Sequence, residues 1–158
     1  MNIRLAKKKD IQKIKLYADE LVKEHSDNVE NVFRNTLDLS TQSIEEFIDS
    51  EDYLIIVATN NLDEAVGFYL TEILLIKDDV KLCDSKIAYL SMVYVDKDYR
   101  KYKLGQALLD YAVNNALDLK NEGIVDRIEF RIWDYNYKCI NLMNKYNINK
   151  LYSVYSLE

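Results

Sequence analysis

The stretch from Ile87 to Asn121 sets the tightest limit on how this chain can fold. It reads IAYLSMVYV, then DKDYRKYKLGQA, then LLDYAVNNALDLKN. The first piece is apolar and rich in β-branched and aromatic residues, the composition of a buried strand. In the last piece Leu104, Leu108, Tyr111, Ala112, Ala116 and Leu119 recur at three- and four-residue spacing, the period of a helix with one apolar face. Between them lies a polar connector with Arg100, Lys101, Lys103 and Gly105. A strand that feeds through a basic, glycine-containing turn into a helix can cradle an anion. Unspent backbone N–H groups and the positive dipole end meet at the helix start. Read alone, RKYK is first of all a basic turn in water.

The rest of the chain supplies the surroundings. Residues 2–6 read as a short strand, and Asp10 is placed to cap a helix with Ile11, Ile14, Ala18, Leu21 and Val22 on one face. After a polar break at 24–31, a second helical stretch carries Val32, Phe33 and Leu37. Ser43 and Glu46 then have capping-box spacing ahead of Phe47 and Ile48. YLIIVAT (53–59) and VGFYLTEILLI (66–76) read as a hairpin, with Gly67 marking a bulge or a close backbone approach. Gly123 sits where a helix C-cap glycine belongs. RIEFRIW (127–133) reads as a strand, NYKCINLMNKY (136–146) as a helix and LYSVYSL (151–157) as a final strand. The order β-αα-β-β-β-α-β-α-β gives an α+β, or mixed α/β, domain spanning 1–158.

Composition narrows the function classes. A chain of 158 residues with 49% apolar and 30% charged residues suits one soluble domain. No apolar run approaches the length of a membrane span and the N-terminus has no apolar signal region, so a cytoplasmic location is expected. Cys83 and Cys139 lack metal-type spacing and read as free thiols, and no metal is expected. The net charge of −6 argues against nucleic acid and favours cationic ligands.

With this element order, YVDKDYRKYKLGQALL resembles the GNAT superfamily of acyl-CoA-dependent N-acetyltransferases across nearly the whole chain. Arg100, Lys103 and Gly105 stand at three positions of the family's phosphate-loop pattern. Val95, Tyr99, Leu104, Ala107 and Leu108 match its surroundings, Gly67 a glycine of the third strand, and Asn136 the asparagine that opens the helix after the fifth. The resemblance implies a central, mostly antiparallel sheet of six to seven strands flanked by about four helices. It also implies acetyl-CoA as co-substrate, with its pyrophosphate over Arg100, Lys101, Tyr102, Lys103, Leu104, Gly105, Gln106 and Ala107 and with Asn136 nearby. Lys103 replaces the usual first glycine. A helical φ there tolerates the side chain, whereas a positive φ costs roughly 1 kcal/mol.

The resemblance further implies a thioester held between the fourth and fifth strands, its carbonyl polarised by the Val93 backbone N–H, with Tyr94 and Val95 pairing the pantetheine amides. The positions usual for the general base hold Ser91 and Met92, and the position usual for the acid tyrosine holds Met143. Glu72 is a substitute base or else an outward strand residue, and Ser91 could hold a water. Tyr146, one turn beyond Met143, is a substitute acid or else a packing residue. His25 borders the acceptor site or is a loop histidine, and Cys139 fits a small buried position. Only twelve residues follow Tyr146, so the acceptor site is expected to be open or completed by a second subunit in a homodimer. The expected acceptor is a small cationic amine or a peptide amine. The alternative is an acyl-CoA-binding or regulatory protein with weak or no transferase activity.

Overall fold

The computed structural model describes residues 1–29, 32 and 39–154. Five strands form one sheet in the order β1-β2-β3-β4-β5, where β1 is Asn2–Leu5, β2 Tyr53–Thr59, β3 Ala65–Ile76, β4 Ser85–Val95 and β5 Arg127–Phe130. The first three junctions are antiparallel, and β5 joins β4 in parallel. Among the described residues four α-helices flank the sheet: α1 (Ile11–Ser26), α2 (Thr41–Asp49), α3 (Leu104–Asn121) and α4 (Tyr137–Met143). A parallel β4–β5 pair needs a crossover, and α3 supplies it.

The sheet separates two apolar layers. One holds Ile14, Tyr17, Ala18 and Ile44 of α1 and α2 over Ile55, Val57, Phe68, Leu70 and Tyr94. The other holds Leu104, Leu108, Leu109, Ala112, Val113 and Ala116 of α3, with Met143 of α4, against Ile56, Ala58, Val66, Tyr69, Ala88, Leu90 and Val95. Leu109 and Val113 complete the α3 stripe in place of the expected Tyr111, which is 39% exposed.

The α+β class matches expectation, and the strand count is lower. Residues 151–154 pair with nothing among the described residues, and 155–157 lie outside them, as do Phe33 and Leu37 of the expected second helix. Leu151 and Val154, 70% and 84% exposed, have no layer to bury against. β5 ends at Phe130 rather than Trp133 because its pairing with β4 stops at Leu90–Phe130. Two expected caps also move. Asp10 caps the 3-10 turn Lys8–Asp10 by accepting from the Lys7 N–H at 2.8 Å, while Arg4 donates to it. Ser40, not Ser43, caps α2, accepting the Ser43 N–H at 3.0 Å. Gly123, at φ 71° just past α3, fills the left-handed position expected of it.

Two features of the sheet shape the site. At Gly67 an added Cβ would lie 2.8 Å from the Tyr94 carbonyl, so only glycine allows β3 to approach β4 this closely. Opposite Leu70 and Thr71 the register slips by one residue, so that Ser91 is an extra residue in β4. Ala88 and Leu90 face α3 before this bulge, and Val93 and Val95 face it afterwards. The bulge falls where β5 leaves its neighbour.

Candidate active site

Beyond Leu90, β4 runs on for five residues with no strand on its outer side among the described residues. The Asp96 N–H donates to the Val66 carbonyl of β3 at 3.0 Å. In an antiparallel ladder, alternate residues turn their backbone groups to opposite neighbours, so the N–H groups of Val93 and Val95 point away from β3, into the gap. The Tyr94 backbone faces β3, and its ring lies in the other layer, stacked on Tyr17 with centroids 5.4 Å apart. Of the three residues expected to meet the pantetheine arm, Val93 and Val95 therefore present the donors.

The gap is a cleft lined on one side by Tyr69, Leu90 and Val93 and on the other by Phe130, Ile132, Cys139 and Met143. It is predominantly apolar. Burial pushes the Cys139 thiol pKa up, which keeps the sulfur a poor nucleophile. Asn136 opens α4 as its N-cap, accepting the Cys139 N–H at 3.1 Å.

The connector after β4 is a 3-10 segment, Lys97–Tyr102, whose cap Asp96 accepts the Asp98 N–H at 3.0 Å. Lys103 follows at φ 58° and ψ 19°, in the left-handed region. The positive-φ alternative therefore holds: a lysine occupies a conformation that favours glycine. The Lys103 side chain makes no cap bond to α3, and the first internal bond of the helix runs from the Ala107 N–H to the Lys103 carbonyl at 3.1 Å. The N–H groups of Leu104, Gly105 and Gln106 are thus unspent by the helix. Leu104 is buried, whereas Lys101, Tyr102 and Lys103 are exposed. Gln106 bonds Asp110 at 3.3 Å.

The Arg100 guanidinium is turned away from these N–H groups. It donates to the Val95 carbonyl at 3.0 Å and to both Glu24 carboxylate oxygens at 3.2 and 2.9 Å, and lies 5.1 Å from the Tyr94 ring centre. The hydrogen bond from Arg100 holds the Glu24 carboxyl below its usual pKa range despite partial burial. Arg100 thereby ties α1 to the start of the connector. Next to Glu24, His25 contacts Tyr135 through a hydrogen bond and edge-on ring packing, so α1 also reaches the segment after β5.

The expected proton-transfer groups are dispersed. Tyr146 donates to Asp110 of α3, where Lys145 also bonds, so its hydroxyl is tied to α3 rather than aimed into the cleft. Ser91 donates to the Leu70 carbonyl at 3.4 Å, across the bulge. Glu72 lies between Tyr53 and Tyr89 in register on the α1–α2 face and makes no ion pair among the described residues. Arg131 sits 5.4 Å from the Tyr89 ring centre there, and Glu129, the parallel partner of Tyr89, pairs with Arg127 at 2.5 Å. The site thus has two sides, with the cleft and the α3 start on one and the Glu72–Tyr89 row on the other.

Tyr69, in the cleft, and Arg131, beside Tyr89 on the other face, are site residues that sequence reasoning missed. Tyr69 stands in an apolar strand like any core aromatic, and Arg131 in an alternating one, so neither carries a local signal.

The cleft encloses about 30 Å³. Its outward N–H groups, apolar walls and uncapped helix start fit an amide-bearing arm ending in a pyrophosphate. An added Cβ on Gly105 would meet the protein only at 3.8 Å, so internal packing does not require this glycine.

Comparisons with known proteins agree with this geometry. A mutant of the BH1408 protein from Bacillus halodurans has a TM-score of 0.84 at 16% identity, covering 100% of this chain and 99% of that one. A possible acetyltransferase from Clostridium difficile 630 has a TM-score of 0.71 at 20% identity, covering 99% and 96%. The aminoglycoside N-acetyltransferase AAC(6′)-Iy, solved with CoA, has a TM-score of 0.65 at 14% identity, covering 99% and 98%. No protein of curated function matches the sequence. The family model described as acetyltransferase (GNAT) family matches residues 12–147. Fold, cleft and family model together place the chain in the GNAT acetyltransferase family.

Proposed function

We propose that the protein transfers an acetyl group from acetyl-CoA to a primary amine by direct attack on the thioester, and that the acceptor is a small cationic amine. The observation that carries this reading is the line of outward N–H groups from Val93 and Val95 to the start of α3. When bound, acetyl-CoA supplies the activated acetyl group. The Val93 N–H then meets the carbonyl oxygen where negative charge develops, and such a preorganised donor is typically worth about 10²–10³ in rate. The α3 N–H groups, with Lys101 and Lys103 beside them, meet the pyrophosphate.

The acceptor approaches from the opposite face. There Glu72 offers a half-buried carboxylate without an ion-pair partner among the described residues, beside the aromatic residues Tyr53 and Tyr89. A carboxylate next to aromatic faces suits an ammonium, which Glu72 can orient and relieve of a proton through water. The test is a panel of amines with acetyl-CoA, followed by release of free thiol. The expected result is thiol release with small diamines or polyamines, reduced at least tenfold by Glu72→Gln.

A second reading is favoured by Met92 and Met143, which leave two positions without the proton-transfer groups that the resemblance implies. On it the protein binds acyl-CoA as a sensor. Tight CoA binding with no thiol release for any amine would establish it over the first.

A further inference from the structure

With Met143 on α4, and with the Tyr146 hydroxyl bound to Asp110, neither position that sequence reasoning considered offers the departing sulfur a donor. The cleft contains another phenol. Tyr69 is only 4% exposed and lines the cleft together with Val93, Cys139 and Met143. It is the direct cross-strand partner of Val93, so its ring rises from the sheet beside the N–H proposed to meet the thioester carbonyl. Its hydroxyl has no hydrogen-bond partner among the described residues. None of the fully enclosed side-chain oxygens described lacks a partner, so this unpartnered hydroxyl is not fully enclosed, and it belongs to a residue that lines the cleft. A buried phenol left unbonded would forfeit a hydrogen bond that water or a ligand must supply.

We propose that Tyr69 is a catalytic residue that donates a hydrogen bond from its hydroxyl to the coenzyme sulfur as the thioester carbon–sulfur bond breaks. This role rests on the acetyltransferase reading above and names the group that serves the leaving sulfur. The amine lone pair forms the new carbon–nitrogen bond, and the carbonyl electrons move onto oxygen beside the Val93 N–H. The excess proton on nitrogen passes to water on the Glu72 side. As the carbonyl re-forms, the carbon–sulfur bond breaks and its electron pair leaves on sulfur, where the Tyr69 hydroxyl receives it. The thiolate takes a proton from water on release, so amide and free thiol are the products and Tyr69 ends as it began. Burial raises the Tyr69 pKa well above the usual phenol value, which keeps the group protonated as a donor at every working pH.

The role can be read without knowing the acceptor. Coenzyme A bound to the protein is titrated by the ultraviolet absorbance of its thiolate, in the wild type and in Tyr69→Phe. The expected result is a thiol that ionises about one pH unit lower in the wild type, a tenfold difference in thiolate at a given pH. Tyr111→Phe, which removes a phenol on the exposed face of α3 outside the cleft, should leave the titration in place. With an amine that releases thiol, Tyr69→Phe should lower kcat at least tenfold with little change in KM for acetyl-CoA. Tyr69→Leu also lacks the hydroxyl and replaces the Phe variant should that one fail to fold. Superimposable titrations of wild type and variant, both with coenzyme bound, would overturn the role of Tyr69 and leave the acetyltransferase reading standing. Failure of the wild type to bind coenzyme A, seen as an unshifted melting temperature, would overturn both.

Discussion

Lys103 shows at one residue what a sequence motif does and does not convey. The spacing of Arg100, Lys103 and Gly105 marked the turn, yet only the backbone reveals that Lys103 sits at φ 58°. Its Cβ then crowds the neighbouring carbonyl, a cost of about 1 kcal/mol or more for a residue that is not glycine. Lys103→Gly should therefore raise stability by about 1 kcal/mol, a rise of about 2–4 °C in melting temperature. An unchanged or lower urea midpoint would contradict the strain. Arg100 was equally visible in the sequence, but its engagement by Glu24, seventy-six positions away, was not. Tyr69 was the least visible of the three. A tyrosine in a buried strand looks the same whether its hydroxyl is bonded or open, because the difference lies in what stands across the cleft.

The elements were more legible than their side chains. The hairpin of β2 and β3, the strand β4 and the helix α3 lie close to where composition and period placed them, since each buries a face along its length. The weaker expectations fail where an element needs a partner. A strand over 151–157 needs an open strand edge to pair with, and residues 151–154 make no ladder with any described strand. α3 also separates stability from ligand contact at one position. Gly105 lies in its first turn, with ordinary contacts awaiting a Cβ. Gly105→Ala should gain about 0.5–1 kcal/mol of helix stability. The same methyl group would stand where the pyrophosphate approaches the N–H groups, so coenzyme affinity should fall at least tenfold. Calorimetric titration with coenzyme A, beside a melting curve, reads both, and an unchanged affinity would remove Gly105 from the phosphate site.

At the scale of the molecule, the end of α1 joins two parts of the site. Glu24 holds Arg100 on the β4–α3 connector, and His25 holds Tyr135 beyond β5. Burial pushes the His25 pKa below its ordinary value, partly offset by the Glu24 charge. The folded form then binds fewer protons than the unfolded chain. Stability is fully present above the unfolded value of about 6.5 and is lost as pH falls from there through the lower folded value. As His25 is the only histidine, the change in unfolding free energy between about pH 7 and pH 5.5 reports mainly on the burial of this ring. A decline that persists unaltered in His25→Gln would show that other groups produce it.

The extra residue in β4 has a consequence of a different kind. Without Ser91, strict alternation would still send Ala88, Leu90, Val93 and Val95 to one face and Tyr94 to the other, so both layers would keep their occupants. What would vanish is the local bend where β4 parts from β5. The opening of the sheet is thus encoded in how many residues the strand contains, not in which ones. Exchanging one amino acid for another at position 91 leaves that count intact, whereas shortening the chain there by one would leave a sound scaffold with its entrance shut.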